Sequence, residues 1–129
     1  YQLKRSSTRL RRKLHKAERG ICRSCGVDCD HVWLRLRLAA HPEERWNVLV
    51  EEMSLSMEHA KKSLVGECTG AIKKLCNEPT EGALWQCDHI YEVRHGGGEA
   101  SDLSQVQTLC VFCHLVKTHN PTASFVRDV

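Results

Sequence analysis

Apolar residues recur along this chain in two rhythms. Leu10, Leu14 and Ala17 follow a three-to-four-residue spacing, so a helix is expected over 7–19. Ser6, Ser7 or Thr8 would cap its start, and Gly20 would stop it. Val32, Leu34, Leu36 and Leu38 then alternate like a strand. Leucine, alanine and arginine are good helix formers and only Val32 is β-branched, so the segment from an Asp30 cap to Ala40 is read as helix. Pro42 fits the first turn of another helix, with Glu43 and Glu44 where the helix dipole favours acids. Helical stretches are expected over 55–65 and 68–77, separated by Gly66 and ended by Pro79. Residues 30–81 thus read as an all-helical insertion, in which Trp33 and Trp46 are core anchors rather than ligand platforms.

From Gly82 the rhythm changes. Residues 84–90 suit a short strand, and a glycine-rich loop follows over 95–99. Residues 104–109 alternate with period 2, and Cys113 to Thr118 should begin a helix. Strand, turn, strand and helix make a ββα unit, which with the insertion gives an α+β fold class. The length of 129 residues allows one domain, taken as 1–118 with 119–129 as a tail or linker. Tyr1 in place of an initiator methionine reads as the start of a fragment.

Composition adds little until charge is divided along the chain. Hydrophobic residues at 41% and charged residues at 27% suit a soluble globular domain. No apolar run approaches the roughly 18 residues of a membrane span, and no membrane partner is expected. The net charge of +3 conceals a net +7 on residues 1–20 against −4 on the remainder. A basic end on an acidic body suggests a phosphate-rich partner, with a solvated helix face or a localisation tract as the alternatives.

Eight cysteines sharpen the picture. Cys22 with Cys25, and Cys110 with Cys113, form two C-x-x-C pairs; Cys29, Cys68, Cys76 and Cys87 are scattered. Each pair bends the backbone so that two thiolates face one ion, the spacing of a structural zinc site. No βαβ pattern surrounds either pair, which argues against a redox dithiol. The reading is a zinc clasp joining the two ends of the domain, in a reducing compartment. Cys87 is expected to pack as a small hydrophobe, and His31, His41, His59, His95 and His119 as surface or packing residues.

Inside the ββα unit lie Asp88 and His89 on the first strand and His114 directly after the second cysteine pair. A carboxylate and an imidazole can hold a divalent ion against a phosphate, while a second imidazole takes a proton from water. That inventory suits phosphodiester hydrolysis. Adjacent strand residues point to opposite faces, so Asp88 and His89 need a backbone distortion to share one target.

The string Trp85-Gln86-Cys87-Asp88-His89-Ile90, then Gly96-Gly97-Gly98, then Leu103 through Thr118 resembles the HNH nuclease motif, in its four-cysteine zinc subgroup. The flanks resemble, more loosely, the HNH domains at the C-terminus of Swi/Snf-type motor proteins. The resemblance implies a ββα-metal core and a DNA endonuclease dependent on Mg²⁺ or Mn²⁺. It implies His89 as general base, Asp88 and His114 as ligands of the catalytic ion, and Cys22, Cys25, Cys110 and Cys113 as zinc ligands. Lys117 would lie near DNA phosphate; separately, the net +7 of residues 1–20 marks Arg9, Arg11, Arg12 and Lys13 as expected DNA contacts. The resemblance further implies branched or forked DNA as substrate, a motor domain in the full-length protein, and a repair role in the nucleus. The motif's central asparagine falls on Gln105, which keeps the amide but adds a methylene. The alternative is a catalytically silent, zinc-stapled DNA-binding module of the same fold.

Overall fold

The computed structural model describes residues 2–63, 65–90 and 103–119, with side chains of the first helix described from Thr8 onward. The expected glycine loop over 95–99, and the expected tail beyond His119, lie outside the described residues.

Helix α1 (Gln2–Glu18) buries Leu10 and Leu14 and stops at two left-handed residues, Arg19 and Gly20. It begins at Gln2, so Ser6, Ser7 and Thr8 lie within the helix instead of capping it. Gly20 is demanded twice over: its φ is +74°, and an added Cβ would meet an Asp30 carboxylate oxygen at 2.8 Å. The knuckle that follows is closed by Cys22 N–H to the Val27 carbonyl and Gly26 N–H to the Cys22 carbonyl, each 2.9 Å. Gly26 has a φ of +83°, as the tight turn requires.

Helix α2 (Cys29–Leu38) is capped by Asp28, whose carboxylate accepts from His31 N–H at 3.1 Å. Asp30, the expected cap, sits in the first turn and pairs with His15. The alternation read in this segment was deceptive. Val32 and Leu36, one turn apart, are buried, whereas Leu34 and Leu38 are exposed.

Helix α3 (Pro42–Ser63) joins two segments expected to be separate, with Met53 breaking the helical geometry (φ −128°, ψ 22°). The break is sharp. Trp46 and Lys61 would be about 22 Å apart along a straight helix, yet the Lys61 ammonium lies 5.5 Å from the Trp46 ring centre. Trp46 is therefore a half-exposed cation–π partner and not a core anchor. Trp33 is partly buried against the core. Helix α4 (Val65–Asn77) takes Gly66 into its first turn, so Gly66 does not separate the helices.

Strand β1 (Trp85–His89) pairs antiparallel with β2 (Val106–Cys110), with Trp85 opposite Cys110 and Asp88 opposite Gln107. Helix α5 (Val111–His119) follows β2 without a loop, two residues earlier than the pattern suggested. Every residue of β2 is buried. Trp85 meets α1, where the Arg11 guanidinium lies 3.5 Å over its ring and His15 stacks at 6.0 Å. Asp88, on the alternate face, meets α5. One core collects Leu14, Leu36, Leu49, Leu75, Trp85 and Phe112, each essentially sealed from solvent. Among the described residues no helix is long and apolar enough to cross a membrane.

Candidate metal centre and active site

The two cysteine pairs converge. The ligand atoms of Cys22, Cys25, Cys110 and Cys113 all lie within 4.8 Å of one another. Four thiolates about 2.3 Å from one tetrahedral ion would stand about 3.8 Å apart, and Cys25 Sγ lies 3.8 Å from Cys110 Sγ. Each knuckle turns a backbone amide onto its first sulfur, Cys25 N–H to Cys22 at 3.4 Å and Cys113 N–H to Cys110 at 3.5 Å. The donor set and its spacing fit zinc. Contact with Cys110 and Cys113 pushes the Cys22 thiol far down and brings Cys25 to about 7. Cys110 is driven up, first by its contact with Cys113 and then by Cys22 and Cys25. The four thiols are close enough to shift one another in opposite directions, and a cation among them favours the ionised form of all four.

The knuckle is stitched to β2 by backbone and side chain. Arg23 N–H donates to the Thr108 carbonyl at 2.8 Å, and the Glu18 carboxylate accepts from Thr108 N–H at 2.8 Å and from Arg23 at 3.0 Å. Behind the cluster, the Ser56 hydroxyl of α3 lies 3.6 Å from Cys110 Sγ. Cys68 and Cys76 are buried in α4 and join no metal-binding group among the described residues. Burial raises the Cys87 thiol to about 11, in keeping with a packing role.

The ββα unit brings a second set together. Asp88 is buried, and its Oδ1 stands 3.7 Å from His114 Nε2. Its Oδ2 accepts from Lys117 Nζ at 2.5 Å and from Gln107 Nε2 at 3.2 Å. Lys117 also donates to the His89 carbonyl at 2.8 Å. Burial holds the His114 imidazole below its usual pKa, so it presents a neutral ring to the carboxylate. Asp88 thus has Oδ2 held by Lys117 and Gln107 while Oδ1 faces the His114 ring, so Asp88 Oδ1 and His114 are the pair that could hold an ion.

His89 is the last residue of β1, half-buried, and its ring has no hydrogen-bond partner among the described residues. Strand alternation groups it with Trp85 and Cys87 on the α1 side, away from Asp88. Ile90 N–H donates to the Gln105 carbonyl at 2.9 Å, so position 105 anchors this segment through its backbone. The amide that reaches Asp88 is that of Gln107, unmarked in the sequence reading but placed opposite Asp88 by the register.

Two basic residues expected at DNA make contacts within the fold. Lys117 holds Asp88. Arg11 donates to the Trp85 carbonyl at 2.8 Å and pairs with Glu81 at 3.1 Å, on the side of α1 that meets the sheet. Arg9, Arg12 and Lys13 are exposed, and Lys16 extends their face at the i, i+3, i+4, i+7 spacing.

A two-stranded antiparallel sheet, a following helix that returns an imidazole to the first strand, and a four-cysteine cluster at the join define an HNH-type nuclease domain. The chain belongs to the HNH endonuclease family, whose match spans residues 74–120. It is similar to the crystal structure of the human ZRANB3 HNH domain, with a TM-score of 0.65 and 33% identity over 89% of this chain and 88% of that one. Curated relatives are the "DNA annealing helicase and endonuclease ZRANB3" of Homo sapiens, 31% identical over 118 residues, and of Mus musculus, 31% over 123. The chain spans about a tenth of the length of these relatives.

Proposed function

We propose that this domain cleaves DNA phosphodiester bonds with a divalent ion, Mg²⁺ or Mn²⁺, held by Asp88 and His114, while zinc in the four-cysteine cluster supports the fold. The observation that carries the reading is the meeting of a buried carboxylate and a neutral imidazole, 3.7 Å apart, inside an HNH ββα unit. When bound, such an ion stabilises negative charge on the scissile phosphate and the leaving oxygen. His89 takes the proton from the attacking water as general base. Gln107 and Lys117 keep Asp88 oriented. Arg9, Arg12 and Lys13 attract the phosphate backbone and supply affinity without sequence preference. By kinship with helicase–endonucleases, the domain serves a nuclear repair or replication-restart protein with a motor domain, acting on branched or forked DNA.

A silent DNA-binding module is the second reading, favoured by the position of His89 on the alternate face of β1 from Asp88. A Mn²⁺-dependent nicking assay on forked and linear DNA separates the two. His89→Ala is expected to lower the rate by about 10²–10⁴-fold with DNA affinity retained. Asp88→Ala and His114→Ala should recover part of their activity at high Mn²⁺, and His89→Ala none. Nicking that is absent from the parent chain, or indifferent to His89, would establish the silent module or a different base.

A further inference from the structure

Lys117 stands where neither strand pattern nor motif called for a buried-facing cation. On α5 it lies one turn beyond His114, and both side chains reach Asp88. Its ammonium spans two consecutive residues of β1, through the carboxylate of Asp88 and the backbone carbonyl of His89. Side chains of adjacent strand residues diverge, so a carbonyl is the group of His89 that can share a partner with the Asp88 carboxylate.

We propose that Lys117 is a positioning residue of the nuclease site, gripping Asp88 Oδ2 and the His89 backbone so that Asp88 meets a divalent ion through Oδ1 alone. The proposal rests on the reading of Asp88 and His114 as ion ligands given above. A carboxylate free to rotate would offer an ion both oxygens. Here Oδ2 is taken by an ammonium and an amide, and Oδ1 faces His114. The fixed positive charge draws on the same carboxylate as the ion, so it weakens ion binding. By holding the end of β1 it also sets where the His89 ring begins its reach, which speeds the reaction. Affinity for the ion and rate at saturation therefore move in opposite directions when Lys117 is removed. A residue that merely supports the fold would lower both.

The test is Mn²⁺ titration of the zinc-loaded chain, read from the electron paramagnetic resonance of free Mn²⁺, beside nicking rates at saturating Mn²⁺. Lys117→Met is expected to bind Mn²⁺ at least about tenfold more tightly and to nick at least about tenfold more slowly. Lys117→Arg keeps the charge and should return the affinity to within about threefold of the parent. If Lys117→Met fails to fold, Lys117→Gln, neutral and able to donate, is held to the same affinity criterion. Mn²⁺ binding that needs Asp88 but ignores the charge at position 117 would overturn the proposal alone. Binding that survives Asp88→Asn unchanged would overturn the ion-site reading beneath it.

Discussion

Glu44 shows how one carboxylate can close a helix end. It sits at the third position of α3, and its Oε1 accepts from Ala40 N–H at 2.7 Å and His41 N–H at 3.0 Å, half of a capping box. Those two backbone bonds hold its carboxyl below the usual range, that from Ala40 first. A folded-state value below the unfolded one means the contribution is fully present above the unfolded value, about 4.3. It is lost as pH falls through the folded value. Glu44→Ala should therefore be less stable than the parent at neutral pH, and the gap should close in acid. Urea unfolding at several pH values checks this; a gap that persists unchanged at low pH would show that the charged carboxylate is not its source. Glu43 and Glu44 were both legible as first-turn acids, but only the fold shows which one turns back to the chain.

At the scale of elements, α1 divides its basic residues between two tasks. Arg9, Arg12, Lys13 and Lys16 face solvent, whereas Arg11 is enclosed by Trp85 and Glu81. Charge reversal at Arg9, Arg12 and Lys13 is expected to weaken DNA binding and to flatten its salt dependence by about one slope unit per lost phosphate contact. Arg11→Ala should leave that slope alone and lower stability by about 1–3 kcal/mol, through a lost carbonyl bond and a lost cation–π contact. Salt titrations and denaturant unfolding of the two variants separate the roles. A local +7 told nothing of this division, because charge counting has no angle in it. Leu10 and Leu14 set the buried stripe but leave residues 11 and 13 equally, about 80°, to either side of it; Trp85 and Glu81, docked on one side only, enclose residue 11 and leave residue 13 in solvent.

At the scale of the molecule, the cysteine cluster joins the end of α1 to the start of α5. Cys22 and Cys110 are brought together across the whole helical insertion, so the loop that the site closes is long and entropically costly. Contact with the other three thiols and burial push the Cys110 thiol up, so a cation at the cluster favours its ionised form. Chelation of zinc is expected to unfold the domain cooperatively, with recovery on adding zinc back. Circular dichroism during EDTA titration and thermal melting checks it; an unchanged melting temperature would show that the apolar core suffices.

The sequence by itself determined the α+β class, the helices, both strands and all four cysteines of the cluster, because periodicity and C-x-x-C spacing are local properties. It also brought Asp88, His89 and His114 into view through the resemblance to HNH nucleases. Tertiary structure decided the rest. The kink at Met53, where two expected helices meet end to end, turns Lys61 back onto Trp46, a contact no local pattern encodes. Asp28 caps α2, while Asp30, inside its first turn, pairs across the knuckle with His15. Gln107 and Lys117 reach Asp88 through a strand register and a helix docking that no stretch of neighbouring residues encodes. A hydrogen bond across 29 residues of chain, such as that from Lys117 to Asp88, exists only after the core has placed α5 against β1.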